Sequence, residues 1–305
     1  MRFSVVIPTY NRSAKLKQCI EALFAQEFDP REFEIIVVDD GSQDSTQFTL
    51  KRLQKNAPVA LQLLSQSNQG QGVARNKGIE CANGEIVLFI GDDIAATPGL
   101  LKEHDRYHRM HPEKNEAVLG FVTWHPKLTV TPLMKFMETG GAVAGRFGGH
   151  QFAYDLLKGK TKADYRFFYT ANISLKRELI KEHKFDPWFS GYGWEDIELG
   201  FRLTKKAGLA LYYNCEAVAY HDHAADAESF ASRMRDIGRS SHLLHAKYPE
   251  LNAVPDAKKQ RILAFLSAKP ILGALRLINK NLYFYALSKK YFLEGLKKGI
   301  IRNDK

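Results

Sequence analysis

The sequence predicts an α/β fold, a doubly wound and mostly parallel sheet, on three observations. Residues 5–8, 35–38, 61–64 and 86–90 are short apolar runs with the length of buried parallel strands. Helix-period segments separate them, and strand-helix repetition of this kind builds a sheet covered by helices. The first, second and fourth runs are followed by Thr9-Tyr10-Asn11, Asp39-Asp40-Gly41-Ser42 and Gly91-Asp92-Asp93. Doubly wound sheets bind ligands beyond the carboxyl ends of their strands, so these followers mark the expected crevice.

The first helix is expected to bury Leu16, Ile20, Leu23 and Phe24 on one face, with Asn11 or Ser13 as its cap. Another is expected from about residue 99 to 111, after Pro98. Between residues 101 and 230 the pattern is less regular. It holds a glycine-rich stretch (Gly140, Gly141, Gly145, Gly148, Gly149) and an aromatic-rich one from Trp188 to Trp194, which suits a substrate-shaping region. From about Ser229 the reading is helical, interrupted at Pro249, Pro255 and Pro270.

At 305 residues, 45% apolar and 26% charged, the composition is that of an ordinary globular protein. Cys19, Cys81 and Cys215 are scattered, which suggests a reducing compartment. No leader-like segment is visible, and no run approaches the roughly 18 apolar residues of a spanning helix. A cytoplasmic protein is expected. Residues 256–305 carry twelve Lys/Arg against Asp256, Glu294 and Asp304, or +9 of the formal +10. Confining the positive charge to a tail argues against a nucleic-acid partner.

Three acidic constellations and their neighbours are candidates for chemistry, each with a bland alternative. Asp39-Asp40 follow an apolar strand and are able to accept hydrogen bonds from a nucleoside, but Asp-Asp-Gly-Ser is also good turn chemistry. Asp92-Asp93 suit a hard divalent cation that keeps positions open for phosphate, or else simply precede a helix. Glu195-Asp196 begin a helix after an aromatic loop containing Trp194; helix-dipole stabilisation alone selects acids there, while flanking rings suit sugar stacking around a general base. His221 or His223 supplies a nitrogen ligand beside Asp93, or is a surface histidine. Gly70-Gln-Gly72 and Arg75-Asn76 are placed for a diphosphate, Arg75 by bidentate contact.

Six motifs carry a resemblance: Val-Val-Ile-Pro-Thr-Tyr-Asn at 5–11, Ile-Val-Val-Asp-Asp-Gly-Ser at 36–42, Ala-Arg-Asn-Lys-Gly at 74–78, Phe-Ile-Gly-Asp-Asp at 89–93, Thr-Ala-Asn-Ile-Ser at 170–174 and Gly-Trp-Glu-Asp at 193–196. In this order and spacing the chain resembles the inverting family-2 glycosyltransferases of GT-A fold over roughly residues 1–225. The resemblance implies a nucleotide-sugar-binding half (1–100), an acceptor-binding and catalytic half of the same domain (101–228) and a helical, basic C-terminal extension (229–305). It implies donor contacts at Pro8, Thr9, Tyr10, Asn11, Asp40, Gly70, Arg75, Asp92, Asn172 and Trp194. Asp93 and His221 would hold Mn²⁺ or Mg²⁺, and Asp196, with Glu195 beside it, would be the catalytic base. The Gln-x-x-Arg-Trp motif of processive synthases does not occur, so a single sugar is expected to move per encounter. A UDP-sugar donor is favoured, with a hydroxyl acceptor that is a growing glycan or lipid-linked.

The rivals are a nucleotidyltransferase, whose Gly-rich basic signature is missing after strand one, and a non-catalytic carbohydrate- or membrane-binding adaptor. A dehydrogenase is disfavoured because no Gly-x-Gly-x-x-Gly turn follows strand one. The tail has two readings. Its helices pack on the catalytic domain or on a second subunit in a homodimer, or they dock on an anionic membrane, at its inner face, as a peripheral anchor.

Overall fold

The computed structural model describes residues 1–142, 146–147, 153–189 and 193–299. Strand and helix alternate at first: β1 (Phe3–Thr9), α1 (Ser13–Phe24), β2 (Phe33–Asp39), α2 (Thr46–Lys55), β3 (Ala60–Ser65), α3 (Gln71–Cys81) and β4 (Ile86–Ile90). There follow β5 (Ile94–Ala96), α4 (Leu100–Met110), β6 (Glu116–Trp124), α5 (Pro132–Thr139), β7 (Gly141–Ala142) and β8 (Arg146–Phe147). After β9 (Lys162–Ala163), β10 (Asn172–Lys176), α6 (Arg177–Glu182), α7 (Glu195–Ala207) and β11 (Ala210–His221), the rest is helical: α8 (Ala227–Lys247), α9 (Ala257–Leu266), α10 (Lys269–Ile278) and α11 (Lys280–Lys298).

Two compact units result, one of residues 1–128, 157–190 and 195–223, the other of 129–156, 191–194 and 224–305. The first contains a sheet of order β3-β2-β1-β4-β10-β6-β11-β5, with β9 paired to β11. β3, β2, β1 and β4 run parallel, as expected; β10 enters antiparallel between β4 and β6. Every residue of β1, β2 and β4 is buried because each is flanked on both sides. Fully enclosed Phe3, Phe33 and Phe89 each contribute about 1.5–3 kcal/mol relative to exposure. Pro8 is tolerated within β1 because pairing with β4 ends at Val6, leaving only β2 alongside.

Two local expectations need correction. Residues 61–64, expected to be a buried strand, lie in β3 at the sheet edge, where only Leu61 is buried. Neither Asn11 nor Ser13 caps α1 with its side chain. The Ser13 N–H instead donates to the Asp44 carboxylate at 3.3 Å, so the orphan donor is satisfied from another loop. Among the glycine- and aromatic-rich stretches, Gly145, Gly148, Gly149 and residues 190–192 lie outside the described residues.

In the second unit α11 lies along α8. Pro270 stands in the first turn of α10, where its missing N–H has no helical partner to lose, so it starts that helix instead of breaking one. No described helix is long and apolar enough to cross a membrane.

Candidate active site

The followers of β1 and β4 meet. Thr9 is 3% exposed and its hydroxyl donates to Asp92 Oδ2 at 2.8 Å, so the ends of two adjacent strands are tied by one hydrogen bond. Asn11 takes a left-handed backbone, φ 53°, which Asn tolerates better than most residues. Its side-chain oxygen accepts from the Gln43 N–H at 2.7 Å and its own N–H donates to Ser42 Oγ at 2.8 Å, coupling the β1 turn to the Asp-Gly-Ser loop. Tyr10 stays 43% exposed beside it.

Asp40 has most of its carboxylate engaged by its own chain. It is buried, and accepts from Gln66 Nε2 and from the backbone N–H groups of Gln69 and Gly70, all within 2.9 Å. These bonds fix the turn before α3, where Gly70 sits at φ 92°, a conformation that favours glycine. The carboxylate read as a donor contact therefore serves first as the anchor of the loop that starts α3.

Sheet register delivers His221 to Asp93. β5 begins at Ile94, one residue after Asp93, and pairs antiparallel with β11 so that His221 stands opposite Ile94. The Asp222 N–H donates to the Asp93 carbonyl at 2.8 Å, and His221 Nε2 lies 3.5 Å from Asp93 Oδ2. His221 Nδ1 is 3.1 Å from the His223 carbonyl. That contact calls for a proton on Nδ1 and turns the Nε2 edge of the ring toward the aspartate. Of the two histidines, His221 is the one whose ring faces Asp93.

Arg12, not singled out in the sequence, bridges the acid pair: Nη1 is 2.5 Å from Asp93 Oδ2 and 3.4 Å from Asp92 Oδ1. Its only sequence signal is its place directly after the Pro-Thr-Tyr-Asn run. Burial, followed by the negative charge of Asp93, pushes Asp92 up to about 7. Burial also works to raise Asp93, but His221 and Arg12 outweigh it and hold that carboxyl below its ordinary range. No group of three or more His, Cys, Asp or Glu is assembled for a metal among the described residues. The pair that does face each other, the Asp93 carboxylate and one imidazole nitrogen of His221, is of the donor type a hard divalent cation would complete with water and substrate phosphate.

The second acid pair opens α7. Glu195 is 2% exposed, accepts from Gln71 Nε2, and lies 3.6 Å from Arg75 Nη1. Asp196 is half-buried and accepts the Ile197 N–H at 2.8 Å. Burial, then the charge of Glu195, pushes Asp196 up to about 7. Gln71 and Arg75 stand one turn apart on α3, and Arg75 Nη2 donates to Gln71 Oε1 at 3.1 Å. Gln71 lies in the Gly70-Gln-Gly72 run read as a diphosphate contact, and its side chain is engaged by Glu195 and Arg75.

Arg75 links the two pairs. It is 4% exposed, packs 5.4 Å over the Phe185 ring, and is electrostatically coupled to Glu195, Asp196 and Asp92. Burial lowers its pKa and those carboxylates partly restore it. Nε is buried without a hydrogen-bond partner, and Nη1 has only the longer ion pair to Glu195 at 3.6 Å. A buried guanidinium with an unsatisfied donor is costly unless something binds it, and phosphate oxygens match its planar fork.

Two residues read as donor contacts have their polar groups engaged elsewhere. Asn172 is fully buried on β10. Its amide nitrogen donates to the Ala217 carbonyl at 2.8 Å and its oxygen is 2.9 Å from His104 Nε2, so it joins strands instead of facing a nucleotide. Gly120 makes room for it, because a Cβ there would strike the Asn172 amide. Trp194 belongs to the second unit, where its indole N–H donates to the Ile237 carbonyl at 3.1 Å. Its φ of 73° is a strained conformation for a bulky residue, one position before Glu195.

Residues 4–118 match the model of "Glycosyl transferase family 2". The uncharacterized glycosyltransferase YfnE of Bacillus subtilis is 29% identical over 75% of this chain and 67% of its own length. Validoxylamine A glucosyltransferase of Streptomyces hygroscopicus subsp. limoneus is 31% identical over 66% of this chain, which spans about half (47%) of that protein. Among solved structures, the mannosyltransferase PcManGT of Pyrobaculum calidifontis, in complex with GDP-Man and Mn²⁺, superposes with a TM-score of 0.66 at 17% identity, over 99% of this chain and 88% of its own. TarS of S. aureus gives 0.54 at 19%, over 97% and 92%. At these identities the two structures attest the fold, which is of GT-A type. Residues 4–118 thus match glycosyl transferase family 2, and the relatives to which the wider chain is similar are enzymes of the glycosyltransferase class.

Proposed function

We propose that the protein transfers a single sugar, with inversion, from a nucleotide diphosphate sugar to a hydroxyl acceptor, in the assembly of a cell-surface glycan or glycolipid on the cytoplasmic side of the membrane. The observation that carries this reading is Arg75, a buried cation coupled to both acid pairs whose Nε has no hydrogen-bond partner. An anionic diphosphate supplies both an acceptor for that donor and the charge to match the guanidinium. Among structural neighbours, PcManGT is described with GDP-Man and TarS with UDP-GlcNAc. We favour a UDP-sugar here.

In the proposed reaction the acceptor hydroxyl oxygen attacks the anomeric carbon as its proton passes to the Asp196 carboxylate. The bond from that carbon to the diphosphate oxygen breaks on the opposite face, and the electron pair leaves with the diphosphate. A pKa near 7 suits a base that must be unprotonated before the step and protonated after it. Glu195, braced by Gln71 and Arg75, raises the basicity of Asp196 by its charge. Arg75 steadies the departing phosphate by charge and hydrogen bonding. Asp93 and His221 would hold Mn²⁺ or Mg²⁺, which supplies further positive charge toward the leaving group.

Nucleoside diphosphate release from a panel of UDP- and GDP-sugars, with Mn²⁺, Mg²⁺ or chelator, tests the reading. We expect metal-dependent release from a UDP-sugar and a thermal shift with donor plus Mn²⁺. Absence of both with every donor overturns it, and a product of retained anomeric configuration overturns the inverting mechanism.

A further inference from the structure

The C-terminal helices present two kinds of surface. α11 is seated on α8. Gly238 and Gly295 let the two backbones approach so closely that a Cβ on either would strike Phe292 O or Arg235 O. Arg235 pairs with Glu294 at 2.8 Å and stands 4.6 Å over the Tyr291 ring, and His242 Nε2 is 2.8 Å from the Leu296 carbonyl. Leu263 of α9 joins Leu293 and Leu296 in a small core, and Leu272 of α10 is also buried.

The opposite is true of a stripe on α9 and α10. Ile262 is 51% exposed, Phe265 68%, Leu277 89% and Ile278 80%, with Leu266 also open. Residues 262, 265 and 266 are three and four apart, as are 274, 277 and 278, so each helix gathers its exposed apolar groups on one side. Lys258, Lys259, Arg261, Lys269, Arg276 and Lys280 are exposed around them, and Asp256 is the single acid between residues 256 and 281. Each helix has ten residues, about 15 Å against a hydrocarbon core of about 30 Å. They are too short to span and suited to lying on a surface.

We propose that α9 and α10 form a peripheral docking face for an anionic lipid bilayer, with Phe265, Leu277 and Ile278 entering the interface and the six cations meeting lipid headgroups. The charge decides the occupant. A second copy on a two-fold axis would set this cationic patch against itself, and nucleic acid has no use for five large apolar side chains open to solvent. Docking by this face would bring the enzyme to lipid-linked acceptors. That consequence rests on the transfer reaction proposed above, whereas docking itself does not.

Cosedimentation of the full chain with phosphatidylglycerol-containing vesicles, against phosphatidylcholine alone, reads docking without turnover, so failure of the transfer reaction leaves the result interpretable. We expect binding to the anionic vesicles only. It should be lost as salt rises from about 0.1 M to about 1 M, where the screening length falls from about 10 Å to about 3 Å. The Phe265→Ser/Leu277→Ser/Ile278→Ser variant, altered only at exposed sites, should keep its melting temperature and bind at least ~10-fold more weakly. A Lys258→Gln/Lys259→Gln/Arg261→Gln/Lys269→Gln variant should lose the preference for anionic lipid. Protein that stays in the supernatant at low salt overturns the proposal, as does wild-type binding by the serine variant. A concentration-dependent dimer that the serine variant abolishes would assign the face to a second copy instead.

Discussion

Asp92-Asp93 and Glu195-Asp196 each have one carboxyl pushed up to about 7 and each meet an arginine. Their arginines differ: the Arg12 side chain is 41% exposed, that of Arg75 4%. Arg12 is a partly exposed cation paired with two carboxylates, so water is at hand to solvate it. Arg75 is held by Gln71, Glu195 and Phe185 and has nowhere else to go. The comparison teaches that the two pairs hold their positive partners differently: the strand-end pair by an exchangeable surface arginine, the helix-start pair by a fixed buried one. On the function proposed above, the first would yield its partner's place to metal and phosphate, and the second would keep its partner through the proton transfer.

The largest effect is expected at Asp196. Asp196→Asn keeps the shape and removes the base, so kcat should fall by about 10²–10⁴-fold. Donor and Mn²⁺ affinity, measured by calorimetry, should stay near wild type. Turnover within a few-fold of wild type would end the assignment. Next comes Arg75→Ala, which strands buried Glu195 and should lower unfolding free energy in denaturant melts by about 3–5 kcal/mol. If Arg75 is instead replaceable without a stability loss, the contrast between fixed and exchangeable arginines fails.

Acidity provides a smaller, graded probe. Because Asp196 must be unprotonated to act, kcat at saturating donor and metal should drop about tenfold per unit as pH falls below about 7, where its pKa lies. The sign for stability is opposite. The folded state holds this proton more tightly than the unfolded chain, so the group's favourable contribution is full below about 4 and disappears as pH rises through about 7. A flat kcat profile from pH 5 to 8, approximately, would remove Asp196 from the proton transfer. The smallest effect belongs to Arg12→Ala: an exposed pair is worth about 1 kcal/mol at most. Nucleotide-free protein should therefore bind Mn²⁺ about fivefold more tightly, with little change in melting temperature. Weaker Mn²⁺ binding would show that Arg12 supports the cation site and does not compete for it.

Much of this site is legible in the chain because it is written locally. Apolar runs ending in Thr9-Tyr10-Asn11, Asp39-Asp40 and Asp92-Asp93 identify strand ends facing a crevice, and the six motifs in register identify the family. The sequence alone also determines that positive charge collects in the tail. It does not show which partner each polar group takes. Thr9 and Asp92 are 83 residues apart, and Gln71 and Glu195 are 124 apart, so no periodicity or turn rule connects them. Asn172 reads like its family's site motif, yet strand order places it between β4 and β6, where every polar atom must find a protein partner.

Tertiary structure likewise sorted the tail, whose leucines and lysines look alike along the chain. Gly238 and Gly295 fit α11 against α8 and leave the stripe on α9 and α10 open. Hydrophobic periodicity is set by residues three or four apart, and the sequence carries it directly. Which apolar face is covered, and which arginine is held, depends on backbones far apart in sequence that meet only in the folded chain.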